Sequence, residues 1–210
     1  MYTPRAFAET GLAELDRLLA RDPFITLVTT GADGLPFASH LPVLHRREDD
    51  SVELEGHWAR PNPQAGHAGP ALAIVHGPHH YISPGWYPDK AESARVPTWN
   101  YAAAHLYGTL EPFDDEASLA SVVARLGERF EPGVGGNWAY DHADPRERAQ
   151  LRGIVGFRFR ASRIELKFKL NQNHPPANVR GAIEGLQALP GDNAAQVAAL
   201  MAERLARREG

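Results

Sequence analysis

The chain has 210 residues, 43% of them hydrophobic, and a formal net charge of −4, which predicts one large domain or one domain with an appendage. The absence of cysteine excludes disulfides, thiolate catalysis and Cys-ligated zinc or iron–sulfur centres. The acidic balance argues against a large nucleic-acid footprint. No apolar run is long enough for a membrane span and residues 1–20 lack a signal-peptide core, so we expect a cytoplasmic protein without a membrane partner.

The first half of the chain predicts one helix followed by a series of strands. Leucines recur at helical spacing in residues 10–20, and Pro23 ends that helix. With a charged turn at 46–50, β-branched and alternating apolar residues predict strands over residues 24–30, 36–44, 52–58, 71–76 and 98–110. Because the connections are short, these strands favour an antiparallel barrel over a parallel sheet.

The second half predicts helices on either side of two further strands. Helical spacing after Asp114, the expected cap, and the Asp144-Pro145 pair predict a helical insertion at about 114–152. Alternating residues then predict two strands, and helices return at 178–208. We therefore expect a mainly β protein with helices (α+β), in which residues 1–174 form the barrel domain and residues 175–210 form a C-terminal helical extension.

Two segments carry polar residues that suit an anion. Residues 56–63 end a strand with Arg60, whose guanidinium fork suits a phosphate, and hold Asn62 between two prolines. In residues 167–173, Lys167 and Lys169 share one face of a strand, where an anion would neutralise them. The alternatives are an Asx turn with a surface arginine in the first segment and two solvated lysines in the second.

Two aromatic segments punctuated by proline follow one another at residues 80–88 and 96–101. Trp99 and Asn100 are adjacent, so they point to opposite faces of a strand. The two segments predict a rigid pair of loops that lines the site of a flat ligand; the alternative is a loop whose aromatics fill the core. The chain contains no Gly-rich phosphate loop, no Gly-x-Ser-x-Gly elbow and no His-Glu-x-x-His pattern, so we assign no metal site to its ten histidines.

Four ordered motifs resemble those of the PaiB family of FMN-binding negative transcriptional regulators: GHWARPNP, GPHHYISPGWYP, VPTWNY and KFKLNQN. The opening Met1-Tyr2-Thr3-Pro4 with Phe7 is also similar, and the resemblance extends to about residue 183. It implies a six-stranded antiparallel split β-barrel of the FMN-binding type, similar to pyridoxamine-phosphate oxidase, that forms a homodimer with FMN at the subunit interface. The chain departs from the commoner family pattern at Gly85 and Asn171, where serine is more frequent.

The resemblance also implies which residues bind the cofactor. Motif position in the fold assigns one side of the FMN site to Ser39, His40, His57, Ala59, Arg60 and Asn62. It assigns Trp99 and Asn100 to the other subunit's side, and adds Lys167, Lys169 and Gln172. No catalytic residue and no metal ligand is assigned.

Several functions remain open at this point. The regulatory role and a DNA partner follow from the resemblance alone, because we find no helix-turn-helix pattern. A flavin-dependent oxidase or reductase of a small molecule is the first alternative, since a flavin supplies its own redox chemistry. A haem-binding split barrel, with ligands among His79, His80 and His174, is the second alternative. A barrel without any cofactor is the third.

Overall fold

The computed structural model describes residues 1–210 as one mixed sheet-and-helix protein. Its strands and helices are β1 (Ala8–Glu9), α1 (Leu12–Arg21), β2 (Phe24–Thr30), β3 (Pro36–Pro42), β4 (Leu44–Glu48), β5 (Ser51–Ala59), β6 (Gly69–Ile82), β7 (Thr98–Phe113), α2 (Glu116–Phe130), α3 (Pro145–Gln150), β8 (Ile154–Lys169), α4 (Pro176–Gln187) and α5 (Asp192–Glu209). The sheet order is β3-β2-β6-β7-β8-β5-β4, and β1 pairs with β8. None of the helices combines the length and apolar character needed to cross a membrane.

The predicted fold class, mainly β with helices and an antiparallel sheet, is confirmed. The sheet has eight strands where the resemblance implied six. The two strands predicted after the helical insertion are wrong in number, because they form one continuous strand, β8. One addition is the two-residue β1, and the other is β4, which covers most of the predicted charged turn at residues 46–50. Arg46 and Arg47 lie exposed on this edge strand, where their charges oppose edge-to-edge pairing with another sheet. The chain reverses after them, at Asp49, whose φ is 52°.

The chain divides into two compact units, and each contains segments that are distant in sequence. The larger unit consists of Leu12–Val75 and His105–Ile164. The smaller unit consists of Met1–Gly11, His76–Ala104 and Glu165–Gly210. The boundary between residues 174 and 175 that the sequence suggests remains a prediction.

The larger unit has an apolar core between α1, α2 and the strand faces. Trp58 and Phe157 are both buried, with ring centroids 4.6 Å apart. In α2 the N-terminal cap is Asp115, whose carboxylate accepts a hydrogen bond from the Ser118 amide at 2.9 Å. The prediction of Asp114 as the cap was wrong by one residue: Asp114 is exposed and pairs with Arg60 instead. The Arg60–Asp114 pair therefore connects the end of β5 to the start of the predicted helical insertion within this unit.

In the smaller unit, helix α4 packs against α5 and against the short 3-10 helix Pro84–Trp86. Gly181 and Gly185 lie one turn apart on α4 and leave room for the backbone and indole of Trp86, respectively; a Cβ on either glycine would overlap it. The facing sides of α4 and α5 bury Val179, Ile183, Leu186, Val197 and Met201. The C-terminal helices therefore belong to the packed core of this unit.

We expect Gly56→Ala to lower the free energy of unfolding by about 1–3 kcal/mol. Gly56 lies in the middle of β5, and a Cβ there would be 2.8 Å from Cζ of Phe157 and 2.9 Å from the carbonyl oxygen of Pro42. Gly66→Ala is the matched control, because no atom lies within 4 Å of its Cβ position. Urea denaturation of both variants tests this expectation, and equal midpoints would contradict it.

Candidate functional site

Ser39 and Asn62, two predicted cofactor residues of the larger unit, contact each other directly. Asn62 precedes the 3-10 helix Pro63–Gly66, and its side-chain oxygen accepts from the Gln64 amide at 2.9 Å. Its Nδ2 donates to the hydroxyl of Ser39 at 3.0 Å. Asn62 therefore forms an Asx turn just after β5. The turn also places the amide of Asn62 next to the hydroxyl of Ser39 on β3. The Asn62–Ser39 hydrogen bond uses only one N–H of Asn62 and does not use the O–H of Ser39 as a donor.

Gln64 anchors this turn, although no sequence motif identified it as a site residue. Its side chain is 0% exposed. Its Oε1 accepts from the indole N–H of Trp58 at 3.0 Å, and its Nε2 lies 3.0 Å from both the Leu27 carbonyl and the Thr29 hydroxyl. A glutamine with this many buried partners fixes the turn on the strands below it.

The remaining predicted residues of the larger unit lie at the ends and faces of its strands. His40 is exposed, lies 3.0 Å from the Thr26 hydroxyl and stacks on Phe24. Ala59 is the exposed last residue of β5 and pairs with Ile154. Arg60 donates to the carbonyls of Arg152 at 2.7 Å and Ile154 at 2.9 Å, so most of its fork is already used.

His57 differs from these residues because it makes no hydrogen bond through its buried ring nitrogen. Its Nδ1 is shielded from solvent and has no partner. Burial lowers the pKa of His57, so the imidazole is neutral near pH 7. It lines a pocket of its own with Trp138 and Tyr140.

In the smaller unit, Trp99 is the centre of an exposed aromatic cluster. Its side chain is 54% exposed, and Tyr81 is 41% exposed. The ring centroid of Trp99 lies 6.1 Å from that of His79 and 6.2 Å from that of Tyr81. An exposed group of rings in tilted and edge-to-face contact is typical of a binding surface.

The ammonium group of Lys169 bonds to the segment that carries Trp99. Its Nζ donates to the hydroxyl of Thr98 and, at 2.6 Å, to the carbonyl of Trp99. Both acceptors are neutral, and no carboxylate pairs with Lys169. Burial, and secondly the charge of Lys167, lower its pKa. A half-buried cation with a third N–H to donate is suited to an anion.

Lys169 lines an open pocket of about 380 Å³ in the smaller unit, together with Phe7, Arg95, Asn171 and His174. His174 packs on the ring of Tyr87, and its Nδ1 is buried without a partner. Burial, followed by the charge of Arg95, lowers the pKa of His174, so this imidazole is also neutral near pH 7. We call this site the Lys169 pocket.

The loop wall of the Lys169 pocket is held in place by Asp89 and Asn171. Asp89 accepts hydrogen bonds from Arg95 and, at 2.7 Å, from Asn178 on α4. The Arg95 hydrogen bonds, the largest influence, hold the pKa of Asp89 far below its usual value. Asn171 has a φ of 62° and donates to the hydroxyl of Tyr87 at 2.9 Å. Asparagine tolerates this left-handed conformation better than serine, which explains one departure from the commoner pattern.

Three predicted cofactor residues of the smaller unit have their polar groups turned to protein partners. Asn100 is buried, and its Nδ2 lies 3.2 Å from the sulfur of Met201. Lys167 is 7% exposed, donates to the Tyr2 carbonyl at 2.9 Å and lies over the ring of Tyr101. Gln172 folds back, and its Oε1 accepts from the amide of Leu170 at 2.7 Å. Of these, Asn100 alone has an unused buried oxygen, its Oδ1.

Comparison with known proteins identifies the family. The family model "Putative FMN-binding domain" matches residues 1–163. The "Protease synthase and sporulation protein PAI 2" of Bacillus subtilis (strain 168) is 34% identical over 209 residues, covering 98% of each chain. An uncharacterized protein of Aspergillus fumigatus is 27% identical over 254 residues, covering 97% of each. The chain belongs to the PaiB-type family of FMN-binding proteins. The cofactor of this family is FMN, as the sequence motifs predicted.

Two solved structures share the fold of this chain although their sequence identity to it is low. The flavocytochrome Anf3 from Azotobacter vinelandii has a TM-score of 0.57 and 17% identity, covering 80% of this chain and 72% of that one. The FAD and heme binding protein from Mycobacterium smegmatis has a TM-score of 0.54 and 19% identity, covering 77% of this chain and 73% of that one. These similarities confirm the predicted split-barrel fold.

FMN requires donors for a phosphate and a surface for a flat ring system, and this family member has both. Ser39, Asn62 and Lys169 have N–H or O–H groups that no carboxylate occupies. Trp99 offers an exposed ring. The residues present therefore fit the cofactor. No group of three or more His, Cys, Asp or Glu side chains is arranged to hold a metal ion.

Glu55, on the outer face of β5, illustrates how the scaffold of this site depends on pH. Its carboxylate accepts from Arg125 at 2.7 Å and from Arg158 at 2.7 Å. Burial alone would raise its pKa, but the hydrogen bonds and charges of the two arginines outweigh burial and lower it. Glu55 therefore stabilises the fold above its ordinary pKa of 4.5. That contribution is lost as the pH falls through the lower value of the folded state.

We expect Glu55→Gln to lower the free energy of unfolding at pH 7 by about 1–3 kcal/mol, because hydrogen bonds to a charged group are replaced by neutral ones. The difference from the unmodified protein should shrink as the pH falls from 4.5 through the lower folded-state pKa of Glu55, because the carboxylate becomes protonated over that range. Glu48→Gln is the control, since the Glu48–Arg46 pair is exposed and contributes little. Melting temperatures between pH 3 and pH 7 test this, and a difference that does not depend on pH would contradict it.

Proposed function

We propose that this protein is a flavin-binding regulator of the PaiB type that works as a homodimer with FMN at the subunit interface. One observation carries the proposal: the ammonium of Lys169, without a carboxylate partner, donates to the backbone carbonyl of Trp99, and the ring of Trp99 is exposed. A positive charge and an uncovered aromatic ring in the same segment match a ligand that is both anionic and planar.

The residues have separate roles in this proposal. Asn62 and Ser39 offer an amide and a hydroxyl in contact with each other, and His40 and Arg60 lie within two residues of them in the chain. Trp99 of the second copy covers the flavin ring, and the third N–H of Lys169 binds an anionic group. When bound, FMN supplies reversible transfer of electrons. The chain itself binds and orients the cofactor and excludes water from the ring.

The first experiment is a visible spectrum of the purified protein before and after incubation with FMN, combined with light scattering after size exclusion. We expect a retained flavin spectrum and the mass of a dimer. A protein that is colourless after incubation would overturn the FMN proposal, and a monomeric holoprotein would overturn the shared site. A Soret band would favour the haem alternative, with His79, His80 or His174 as the ligand to test by substitution.

We expect Lys169→Met to weaken FMN binding by more than about tenfold, which is the effect of removing a charge-assisted hydrogen bond. Riboflavin, which has no phosphate, should bind the variant and the unmodified protein equally if Lys169 contacts the phosphate. Lys90→Met is the control, because its ammonium donates to the carbonyl of Gly85 and does not line the Lys169 pocket. Fluorescence titration measures both flavins, and equal FMN affinities would contradict this role for Lys169.

The regulatory part of the proposal draws on the resemblance to PaiB-type regulators, and the matching Bacillus subtilis relative is named a "Protease synthase and sporulation protein". The chain carries a net charge of −4, which disfavours a broad contact with DNA phosphates. A gel shift with promoter DNA over a salt series, with and without FMN, tests direct repression. No shift at low salt would restrict the regulatory role to contacts with another protein.

A flavin-dependent oxidoreductase is the second candidate, and His174 is the observation that favours it. This imidazole lines the Lys169 pocket and is neutral near pH 7, so it is able to accept a proton from a small substrate. Anaerobic mixing of the FMN-loaded protein with NADH or NADPH tests this candidate. Bleaching of the flavin spectrum would support it, and an unchanged spectrum with both donors would reject nicotinamide-driven reduction.

A further inference from the structure

A second pocket, of about 210 Å³, lies in the larger unit between β5 and the helical insertion. We propose that it binds a small, neutral aromatic molecule that carries a hydrogen-bonding hydroxyl or amine group. Its walls come from His57 on β5, Val123 on α2, the segment before α3, and Ile154 at the start of β8. We call it the His57 pocket.

The His57 pocket has an aromatic and aliphatic wall. Trp138 and Tyr140 line it together with Val123, Leu151 and Ile154. Trp138 is 46% exposed and packs against α2 at Gly127, where a Cβ would come within 2.9 Å of the indole. A cavity of about 150 Å³ lined by apolar side chains is enough to bind benzene. The volume here therefore accommodates one aromatic ring with a short substituent.

His57 supplies the polar contact in this apolar pocket. Its Nδ1 is buried, so Nε2 is the ring nitrogen that a ligand in the pocket is able to reach. The ring is neutral near pH 7 because burial lowers its pKa. A neutral imidazole accepts or donates one hydrogen bond there, according to its tautomer. Largely apolar pockets with a few polar groups, here including His57, Glu147 and Gln150, are typical sites for small organic ligands.

The charges around the His57 pocket select against anions. Glu147 lies in the lining, and its Oε2 accepts from the amide of Asp141 at 2.8 Å. No lysine or arginine lines the pocket. A phosphate or carboxylate would meet the carboxylate of Glu147 without a compensating cation. A phenol or an aromatic amine fits these groups, whereas the phosphate of FMN does not.

The test uses p-cresol as the probe. Toluene is the control analogue that lacks the hydroxyl, and benzoate is the control analogue that carries a negative charge. We expect p-cresol to bind with a dissociation constant of about 1 mM, a typical affinity for so small a ligand. Toluene should bind about fivefold more weakly because one hydrogen bond is missing. Benzoate should not bind. Quenching of tryptophan fluorescence and ligand-observed NMR provide two independent measurements.

Two variants connect binding to this pocket. His57→Leu keeps an apolar wall, so it should weaken p-cresol about fivefold and leave toluene unchanged. Val123→Phe fills the space from a partly exposed position on α2 and should abolish binding of both probes. Circular dichroism and the melting temperature show whether each variant is folded. Unchanged p-cresol binding in both folded variants would overturn the proposal.

The same variants separate this pocket from the flavin site. Val123→Phe should retain FMN as the unmodified protein does, because Val123 lies outside the residues proposed to bind the cofactor. If saturating FMN displaces p-cresol, the pocket belongs to the flavin site and the inference fails. If the protein binds no FMN but binds p-cresol as described, the flavin proposal fails and this one stands.

Discussion

Trp99→Ala is expected to weaken FMN binding by about 5- to 150-fold, which corresponds to the 1–3 kcal/mol of one stacked aromatic contact. The indole of Trp99 is 54% exposed and is held by contacts with His79 and Tyr81, so it is already ordered before a ligand arrives. A ligand that stacks on it loses little side-chain entropy on binding. Flavin fluorescence titration at several protein concentrations gives the affinity and shows whether it is linked to dimerisation.

Two further variants show what a change in FMN affinity means. Trp99→Phe keeps a ring at this position and should recover most of the affinity, since stacking needs a π-face and not an indole N–H. Val134→Ala removes an exposed apolar side chain on the helical insertion and should leave the affinity unchanged. If Trp99→Ala binds FMN as tightly as the unmodified protein, the flavin does not stack on Trp99. Equal losses in the alanine and phenylalanine variants would also exclude stacking and indicate a requirement for the indole itself.

Local patterns predicted most of the fold, because each element depends on its own neighbours. The leucines of α1 share a face, and the alternation in β5 and β8 places Trp58 and Phe157 together inside. Edge strand β4 was missed because its exposed charges match a turn as well as a strand. The cap of α2 was misplaced by one residue because Asp114 and Asp115 are chemically equivalent in sequence. The backbone conformation makes Asp115, and not Asp114, the residue that caps the helix.

The candidate site was harder to predict, because its important features depend on distant residues. Lys167 and Lys169 look equivalent on one strand face, yet Lys167 is buried against Tyr2 and Tyr101, whereas Lys169 lines a pocket. Spacing alone does not distinguish them. His57 was predicted to bind the flavin, which remains a prediction, and its surroundings include the aromatic residues of the insertion, about 80 positions away in the chain. Packing between these segments, which no local pattern encodes, determines which polar groups stay available.

Gln64→Leu is expected to lower the free energy of unfolding by about 3–5 kcal/mol, the range that follows from breaking a buried hydrogen-bond network. The substitution nearly preserves the volume of the side chain but removes every polar atom of it. The Trp58 indole N–H loses its acceptor, and the Thr29 hydroxyl and Leu27 carbonyl lose a donor. Chemical denaturation at pH 7 measures the change, and a loss below about 1 kcal/mol would contradict a structural role for this network.

The control Gln187→Leu changes an exposed glutamine at the end of α4 and should alter stability by less than about 0.5 kcal/mol. A second substitution, Trp58→Phe, removes the indole donor that Gln64→Leu leaves unpaired. The double variant should therefore be less destabilised than the sum of the two single variants. Because Gln64 fixes the turn that carries Asn62 against Ser39, Gln64→Leu should also weaken FMN binding while the protein is still folded. A folded Gln64→Leu protein with unchanged FMN affinity would show that the hydrogen-bonded pair Ser39 and Asn62 does not contact the cofactor.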